Sequence, residues 1–271
     1  MLKAQGWGFY RAAFTHGRRM WDQALAAFEQ SEALFRELGD RAGLAGAVAG
    51  RATVLRSLGE PGAIRQSVTL YHEEIDLLRE AGREDDLPGA FANLALAYRD
   101  LVTADPSASG EISRGVAACR EALEAAKAHG KPEMEALASS TLGDFCLLLA
   151  ERDDPDYRGR HLREAMGFFG QAEKLWEERD PEGQALARMG LAEAYIALGR
   201  NLEGARDLLD EVRRYYETYS GGPVSGPVRY QIAQVKTLQA RLLETEGDLE
   251  GAARARQEAM DDFEALGFTR T

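Results

Sequence analysis

The sequence predicts an all-α protein, a solenoid of about six stacked helical hairpins, and three observations carry that prediction. The 271-residue chain holds only 8 Pro among abundant Ala, and these two residues stand at opposite ends of the helix-propensity scale. Small residues recur at Ala24, Ser67, Gly115, Ala165, Ala205 and Ala252, at spacings of 43, 48, 50, 40 and 47 residues. Periods of this size belong to hairpin arrays, in which each unit buries its apolar face only against its neighbours. Each small residue is read as opening a helix that closes fifteen positions later, at Gly39, Gly82, Gly130, Asp180, Ser220 and Gly267.

Within these segments the fifth position holds Phe28, Tyr71, Cys119, Phe169, Leu209 and Arg256, and the eighth holds Ser31, Glu74, Ala122, Ala172, Val212 and Ala259. Two helices joined by a short turn approach closely only where one side chain is nearly absent, and a large neighbour then fills the groove beside it. Arg256 breaks the rule, as expected of a terminal helix turned towards water.

Each segment is the second helix of a pair. The first pair begins with a helix over roughly 4–16, which has no capping segment before it. Residues 41–58 place Ala52 and Leu55 on one face before Gly59, and 87–102 place Leu94, Ala95 and Tyr98 likewise. Residues 133–150 carry Leu142, Gly143 and Cys146; 182–198 carry Leu191, Ala192 and Tyr195 and end at Gly199; in the last pair Ala240 and Leu243 precede Gly247. All follow helical spacing. Gly39, Gly59, Gly82, Gly130, Gly199, Gly247 and Gly267 suit the left-handed position after a helix, and Asp40 and Asp248 then start the next one. Long turns are expected at about 103–111 and 152–160, and SGGPVSGPV (220–228) should break helix and lengthen the link into the last pair. The expected apolar seam is Phe28, Leu34, Tyr71, Leu94, Tyr98, Leu142, Phe169, Trp176, Leu191, Tyr195 and Leu209.

The stretch LAEAYIALGRNLEGARDLLDEV resembles the tetratricopeptide (TPR) repeat, with its Leu, small, Tyr and Gly, then Ala, large apolar and small, and one extra residue in the turn. WDQALAAFEQSEALFRELGD resembles a second helix of the same type. Repeats near 40–50 residues, and the long Asp-Pro turn of AYRDLVTADPSASGEISRGVAACREAL, are similar to the longer TPR variety of bacterial signalling and effector proteins, including arrays attached to CHAT domains. The resemblance implies a right-handed α-α superhelix, a single solenoid over 1–271 with repeats at about 1–40, 41–83, 84–131, 132–180, 181–220 and 221–271. It also implies a concave face lined by first helices. Its partner-binding positions are then Thr53, Arg56, Asn93, Arg99, Ser140, Asp144, Met189, Glu193, Thr237 and Arg241. Arg early, acids in the middle and Arg at the end suit a partner segment carrying both charges; the alternative is ordinary solvated helix surface. The family's carboxylate clamp needs Lys and Asn where this chain has Ala49 and Thr53, or Ala92 and Leu96, so a chaperone-tail adaptor is not expected.

The formal net charge of −12 argues against nucleic acid and anionic membrane as partners. No segment has the roughly 18 consecutive apolar residues of a membrane span, and the N-terminus carries no secretion signal. Two cysteines make no disulfide framework, so a reduced, cytoplasmic protein is expected. Cys119 and Cys146 read as buried small hydrophobes, with a redox-sensitive pair as the alternative. His16, His72, His129 and His161 lie in different repeats without metal-ligand spacing and read as surface or helix-end residues. No phosphate loop and no nucleophile elbow is present, so neither a metal, a cofactor nor an enzyme is expected. Tyr215, Tyr216 and Tyr219 cluster before the Gly/Pro stretch, where one or two should pack on the sixth pair and another could anchor a partner.

The function expected is a scaffold or adaptor that binds a protein or peptide. The alternatives are a sensor for a small molecule or short signalling peptide within a larger regulatory system, an enzyme built on the array, and a self-assembling unit. The uncapped first helix points either to homo-oligomerisation there or to attachment to a further domain.

Overall fold

Proline and aspartate set most helix starts. In the computed structural model, which describes residues 2–16, 18–219 and 226–266, the helices are α1 (Leu2–His16), α2 (Arg18–Leu38), α3 (Arg41–Ser57), α4 (Pro61–Glu80), α5 (Leu87–Ala104), α6 (Ile112–Ala128), α7 (Pro132–Arg152), α8 (Pro155–Trp176), α9 (Pro181–Leu198), α10 (Leu202–Tyr219), α11 (Gly226–Glu246) and α12 (Leu249–Ala265). The described residues contain no strand. The fold is an all-α, TPR-like solenoid of six hairpins. Asp40 caps α3 by accepting from the Gly43 N–H at 2.8 Å, and Asp248 caps α12 through Gly251 at 2.9 Å, as the sequence predicted. Gly39, Gly59, Gly82, Gly130, Gly199 and Gly247 all have φ between +60° and +90°, where only glycine is unstrained. Ser220 and Gly267 lie outside the described residues, as do positions 220–225 of the Gly/Pro stretch; residues 226–228 already belong to α11.

The chain forms two compact units, 1–141 and 142–271, with the division inside α7. In the first unit α1 to α6 pack in sequence order; in the second, α8 to α12 do so. The first helices of neighbouring hairpins also touch directly, α1 with α3, α3 with α5 and α9 with α11. Within a unit the second helices of neighbouring hairpins stand further apart and meet only through long side chains, as Arg36 of α2 and Glu73 of α4 do at 3.5 Å. Each unit therefore has a close-packed layer of first helices and a splayed layer of second helices.

Small residues hold these layers together. Phe28 is fully buried, and a Cβ built on Gly6 of α1 or Gly50 of α3 would lie 2.8 or 2.2 Å from its ring. Phe169 repeats the wedge in the second unit, where a Cβ on Gly143 of α7 or Gly190 of α9 would lie 2.7 or 2.4 Å away. The ring of a second helix is thus clamped between two first helices that lack side chains at the point of contact. Burying such a ring contributes about 2–3 kcal/mol. One second-helix turn pair further on, the ring of Phe35 occupies the space a Cβ on Gly43 would need, as Trp176 does at Gly183.

Three expectations change. The six small residues are all buried, but they do not open the helices. Ala24, Ser67 and Ala165 lie well inside α2, α4 and α8, because they mark the closest approach of two helices while Pro61 and Pro155 mark the starts. The long turn expected at 152–160 is only 153–154: Asp154 accepts from the Asp156 N–H at 3.0 Å with Pro155 at the first helical position, which extends α8 backwards. The turn at 103–111 is long, but its residues Pro106–Glu111 wind into 3-10 turns kinked at Ala108. Leu34 leaves the apolar seam, being 44% exposed. Seven residues, two full turns, separate Phe28 from Phe35, and Leu34 falls off that face. The exposed Arg256 bonds Glu244, in keeping with a helix turned to water.

Candidate functional site

In the first unit the layer of first helices carries a polar chain. The Thr53 hydroxyl donates to the Ala49 carbonyl at 2.9 Å, leaving its oxygen to accept from buried Tyr71 at 3.0 Å. One turn on, the Ser57 hydroxyl donates to the Thr53 carbonyl at 2.9 Å and lies 3.3 Å from the Tyr10 hydroxyl. Burial pushes the Tyr71 hydroxyl above its ordinary range, with Arg56 opposing. Arg56 and Arg99 share one carboxylate: Asp100 lies 3.8 Å from the Arg56 Nε and 2.7 Å from the Arg99 Nη2. The structure thus brings together Thr53, Arg56 and Arg99 of the predicted residues. Asn93 and Ser140 are half-buried on α5 and α7.

In the second unit Arg241 of α11 bonds Glu193 of α9, so two more predicted residues meet. They wall a cleft whose inner nook, about 20 Å³, is lined by Leu147, Leu162, Ala197 and Arg158 among others. Beside it an open bowl of about 480 Å³ shares the walls Arg158, Ala197 and Arg241 and adds Ile196, Leu198 and Thr245. Arg158, on the first turn of α8, donates to the Ala197 carbonyl at 3.4 Å. Asp144 is half-buried, and Thr237 is exposed with its hydroxyl donating to the Ala233 carbonyl at 2.9 Å. Met189 is no surface residue: it is 7% exposed and packs in a cluster with Leu209, Tyr216, Val235 and Leu238. It lies one turn before Glu193, on the face turned to α10 and α11. The predicted alternation of charge along the array is also revised. Arg56 and Arg241 pair with acids of the neighbouring first helix and Arg99 with Asp100 of its own, so each site presents closed pairs, worth about 1 kcal/mol or less each.

Sequence reasoning missed two buried acids. Glu32 ion-pairs with Arg51 of α3 at 2.8 Å and with Arg36 at 3.2 Å; the Arg51 approach is too oblique for a hydrogen bond, and burial still pushes the carboxyl up. Glu173 makes the corresponding pair with Arg188 at 2.8 Å. Glu74 is 8% exposed and its Oε2 has no hydrogen-bond partner. Burial, then the charge of Asp86, pushes it up to about 8, with Lys3 opposing. The signal was present: at that position the other segments hold Ser, Ala or Val.

The remaining residues are placed as follows. His72 lies 3.1 Å from the Tyr98 hydroxyl, and His129 at the end of α6 lies 2.7 Å from Asp85. His161 is a correction, being buried with Asp153 at 2.9 Å and Glu164 at 3.6 Å, because α8 starts at Pro155 and places it inside the helix instead of at its end. The side chains of His16 and Tyr219 lie outside the described residues. Tyr216 packs on α11 as expected, while half-buried Tyr215 borders an outer hollow with Arg188 and Arg214. Cys119 and Cys146 are both buried. Among the described residues no three His, Cys, Asp or Glu gather to hold a metal ion, and no helix is long and apolar enough to cross a membrane.

The sequence matches no protein-family model and no curated protein. Solved structures do match. BtubC (BKLC) from P. vanneervenii superposes with a TM-score of 0.67 at 17% identity, over 93% of this chain and 94% of that one. A Rap protein complexed with competence and sporulation factor superposes with a TM-score of 0.58 at 15% identity, over 98% of this chain and 74% of that one. At these identities the likeness is one of fold.

Proposed function

We propose that this protein is a non-enzymatic scaffold of the longer TPR variety, which binds a protein or peptide segment along its first-helix layers. The observation that carries this reading is the half-buried, internally bonded polar set on those layers, Thr53, Arg56, Arg99 and Asp100 in one unit and Glu193 and Arg241 in the other. Side chains already held in one geometry lose little further entropy when a partner docks. The acidic net charge favours a protein over a nucleic-acid partner. A bacterial, cytoplasmic, regulatory role belongs to the same reading. Affinity capture with the full chain, followed by Arg56→Glu and Arg99→Glu, tests it. Each reversal places a new acid beside Asp100 and should weaken the captured complex at least about tenfold. If both variants stay folded and bind unchanged, the first-helix layer is not the binding face.

A second reading, a sensor for a small molecule or short signalling peptide, is favoured by the cleft of the second unit and draws on the Rap protein, which was solved with competence and sporulation factor bound. It predicts a rise in melting temperature with ligand, where the scaffold reading predicts retention of a macromolecular partner.

A further inference from the structure

The two phenylalanine wedges give a common frame for comparing the units, and in that frame one place is filled in the first unit and open in the second. Four residues after the glycine that meets the wedge stands Tyr10 in α1 and Leu147 in α7. Seven residues before the wedge ring stands Trp21 in α2 and Leu162 in α8; seven after the second glycine stands Ser57 in α3 and Ala197 in α9. In the first unit these three side chains form a plug. The rings of Tyr10 and Trp21 meet edge to face at 5.6 Å, and the Tyr10 hydroxyl reaches the Ser57 Oγ at 3.3 Å. In the second unit the three smaller counterparts, Leu147, Leu162 and Ala197, all line the nook that opens beside the bowl.

We propose that this cleft takes an aromatic side chain from the partner segment, with a carboxylate of the same segment set against Arg158. The inference rests on the scaffold reading and names what one of its subsites recognises. The nook admits the tip of an inserted group, since a space of this size holds about one water, and the bowl, floored by Ile196 and Leu198, covers the ring. An aromatic group restores the contacts that Tyr10 and Trp21 supply in the first unit. The polar walls select its neighbours. Of the charged side chains that line the two hollows, Arg241 is committed to Glu193 and Glu244 to Arg256, Glu151 is an acid of the nook wall, and Arg158 forms no ion pair among the described residues and makes one long bond to a carbonyl. A carboxylate facing it exchanges that bond for a charge-assisted one.

The probe is 4-hydroxyphenylacetate, a phenol ring bearing a carboxylate, titrated into the isotope-labelled full chain and followed at the amides of Ala197 and Gly199. Saturable shifts are expected, at least tenfold tighter than for 4-ethylphenol or acetate. The triple variant Leu147→Tyr, Leu162→Trp, Ala197→Ser, which transplants the plug, should melt no lower and lose the probe at least tenfold. Ala197→Leu fills the nook from α9 alone and should act likewise should the triple variant misfold. Arg158→Gln should reduce the probe's affinity to that of 4-ethylphenol. Unchanged binding to the filled cleft, or equal binding of acetate, overturns the assignment. The captured partner separates this from the scaffold reading: a partner that ignores Ala197→Leu but is lost on Arg56→Glu sinks the subsite and leaves the scaffold standing.

Discussion

Replacing Glu74 by Gln should stabilise this protein by an amount that grows with pH. The carboxyl is 8% exposed, its Oε2 is without a hydrogen-bond partner, and burial with the charge of Asp86 raises it from 4.5 to about 8 against the opposing Lys3. Between those two values the native state holds a proton that the unfolded chain has released. Stability is therefore whole below pH 4.5, falls as pH rises to about 8, and levels off above. At 1.36 kcal/mol per pH unit the loss is on the order of 3 kcal/mol at pH 7 and on the order of 5 kcal/mol above pH 8. Glu74→Gln keeps the shape and removes the titration. Glu74→Ala restores the residue size that Ala122 and Ala172 have at the same place. Urea unfolding of both variants and the parent at pH 4.5, 7 and 9, with amide exchange in α4 to localise the effect, reads the difference. The variant and parent curves should nearly coincide at pH 4.5, diverge up to about pH 8 and run parallel above it. Curves that stay parallel across that range would refute the buried neutral carboxyl.

Three other outcomes follow from packing and caps. Gly190→Ala puts a methyl 2.4 Å from the Phe169 ring and should cost about 1–3 kcal/mol, whereas Gly167→Ala meets nothing within 4 Å and should gain about 1 kcal/mol; thermal melts of the pair should move in opposite directions. Asp40→Ala removes the acceptor of the Gly43 N–H and should cost about 1 kcal/mol, seen as faster amide exchange in the first turn of α3. Cys119 and Cys146, 0% and 6% exposed, should both resist a thiol reagent in the native protein and react once it is unfolded; rapid native reaction would revive the redox-pair alternative.

What could be read from residue order was whatever depends on contact between chain neighbours. The small residues at Ala24 or Ala165 announce themselves because one hairpin cannot close without them, and Gly82 or Gly199 because a left-handed turn disfavours residues with a Cβ. Helix starts were harder, since a proline or an aspartate can extend a helix ahead of its packed portion, as Asp154 and Pro155 do for α8. The candidate site was legible by position and not by pairing. Thr53, Arg56, Glu193 and Arg241 lie on the first-helix layers, but their partners stand 18 to 48 residues away on other helices, beyond what periodicity resolves; only Arg99 pairs with its chain neighbour, Asp100. Met189 differs from Glu193, one turn on along the same helix, because α10 and α11 cover the helix at the earlier turn, and periodicity along one helix does not show where its neighbours cover it.

The same wedge, at Phe28 and Phe169, is built 141 residues apart, and that separation is the sum of three hairpin periods. Equivalent details repeat around it: Glu32 and Glu173, each four residues after the wedge ring, pair with an arginine of the following first helix, Arg51 and Arg188, which differ in register, and Phe35 over Gly43 answers Trp176 over Gly183. A three-hairpin block used twice explains why differences between the copies are more informative than either copy alone. Packing fixes the positions that agree, because each wedge ring needs two glycines. Positions that disagree are free of that demand and can carry function. Glu74 and the Tyr10–Trp21–Ser57 plug distinguish the first copy, and the open cleft at Leu147, Leu162 and Ala197 distinguishes the second. If binding selected the open cleft, transplanting the plug removes binding without loss of stability; if the cleft were only a packing defect, filling it would raise the melting temperature and leave every ligand untouched.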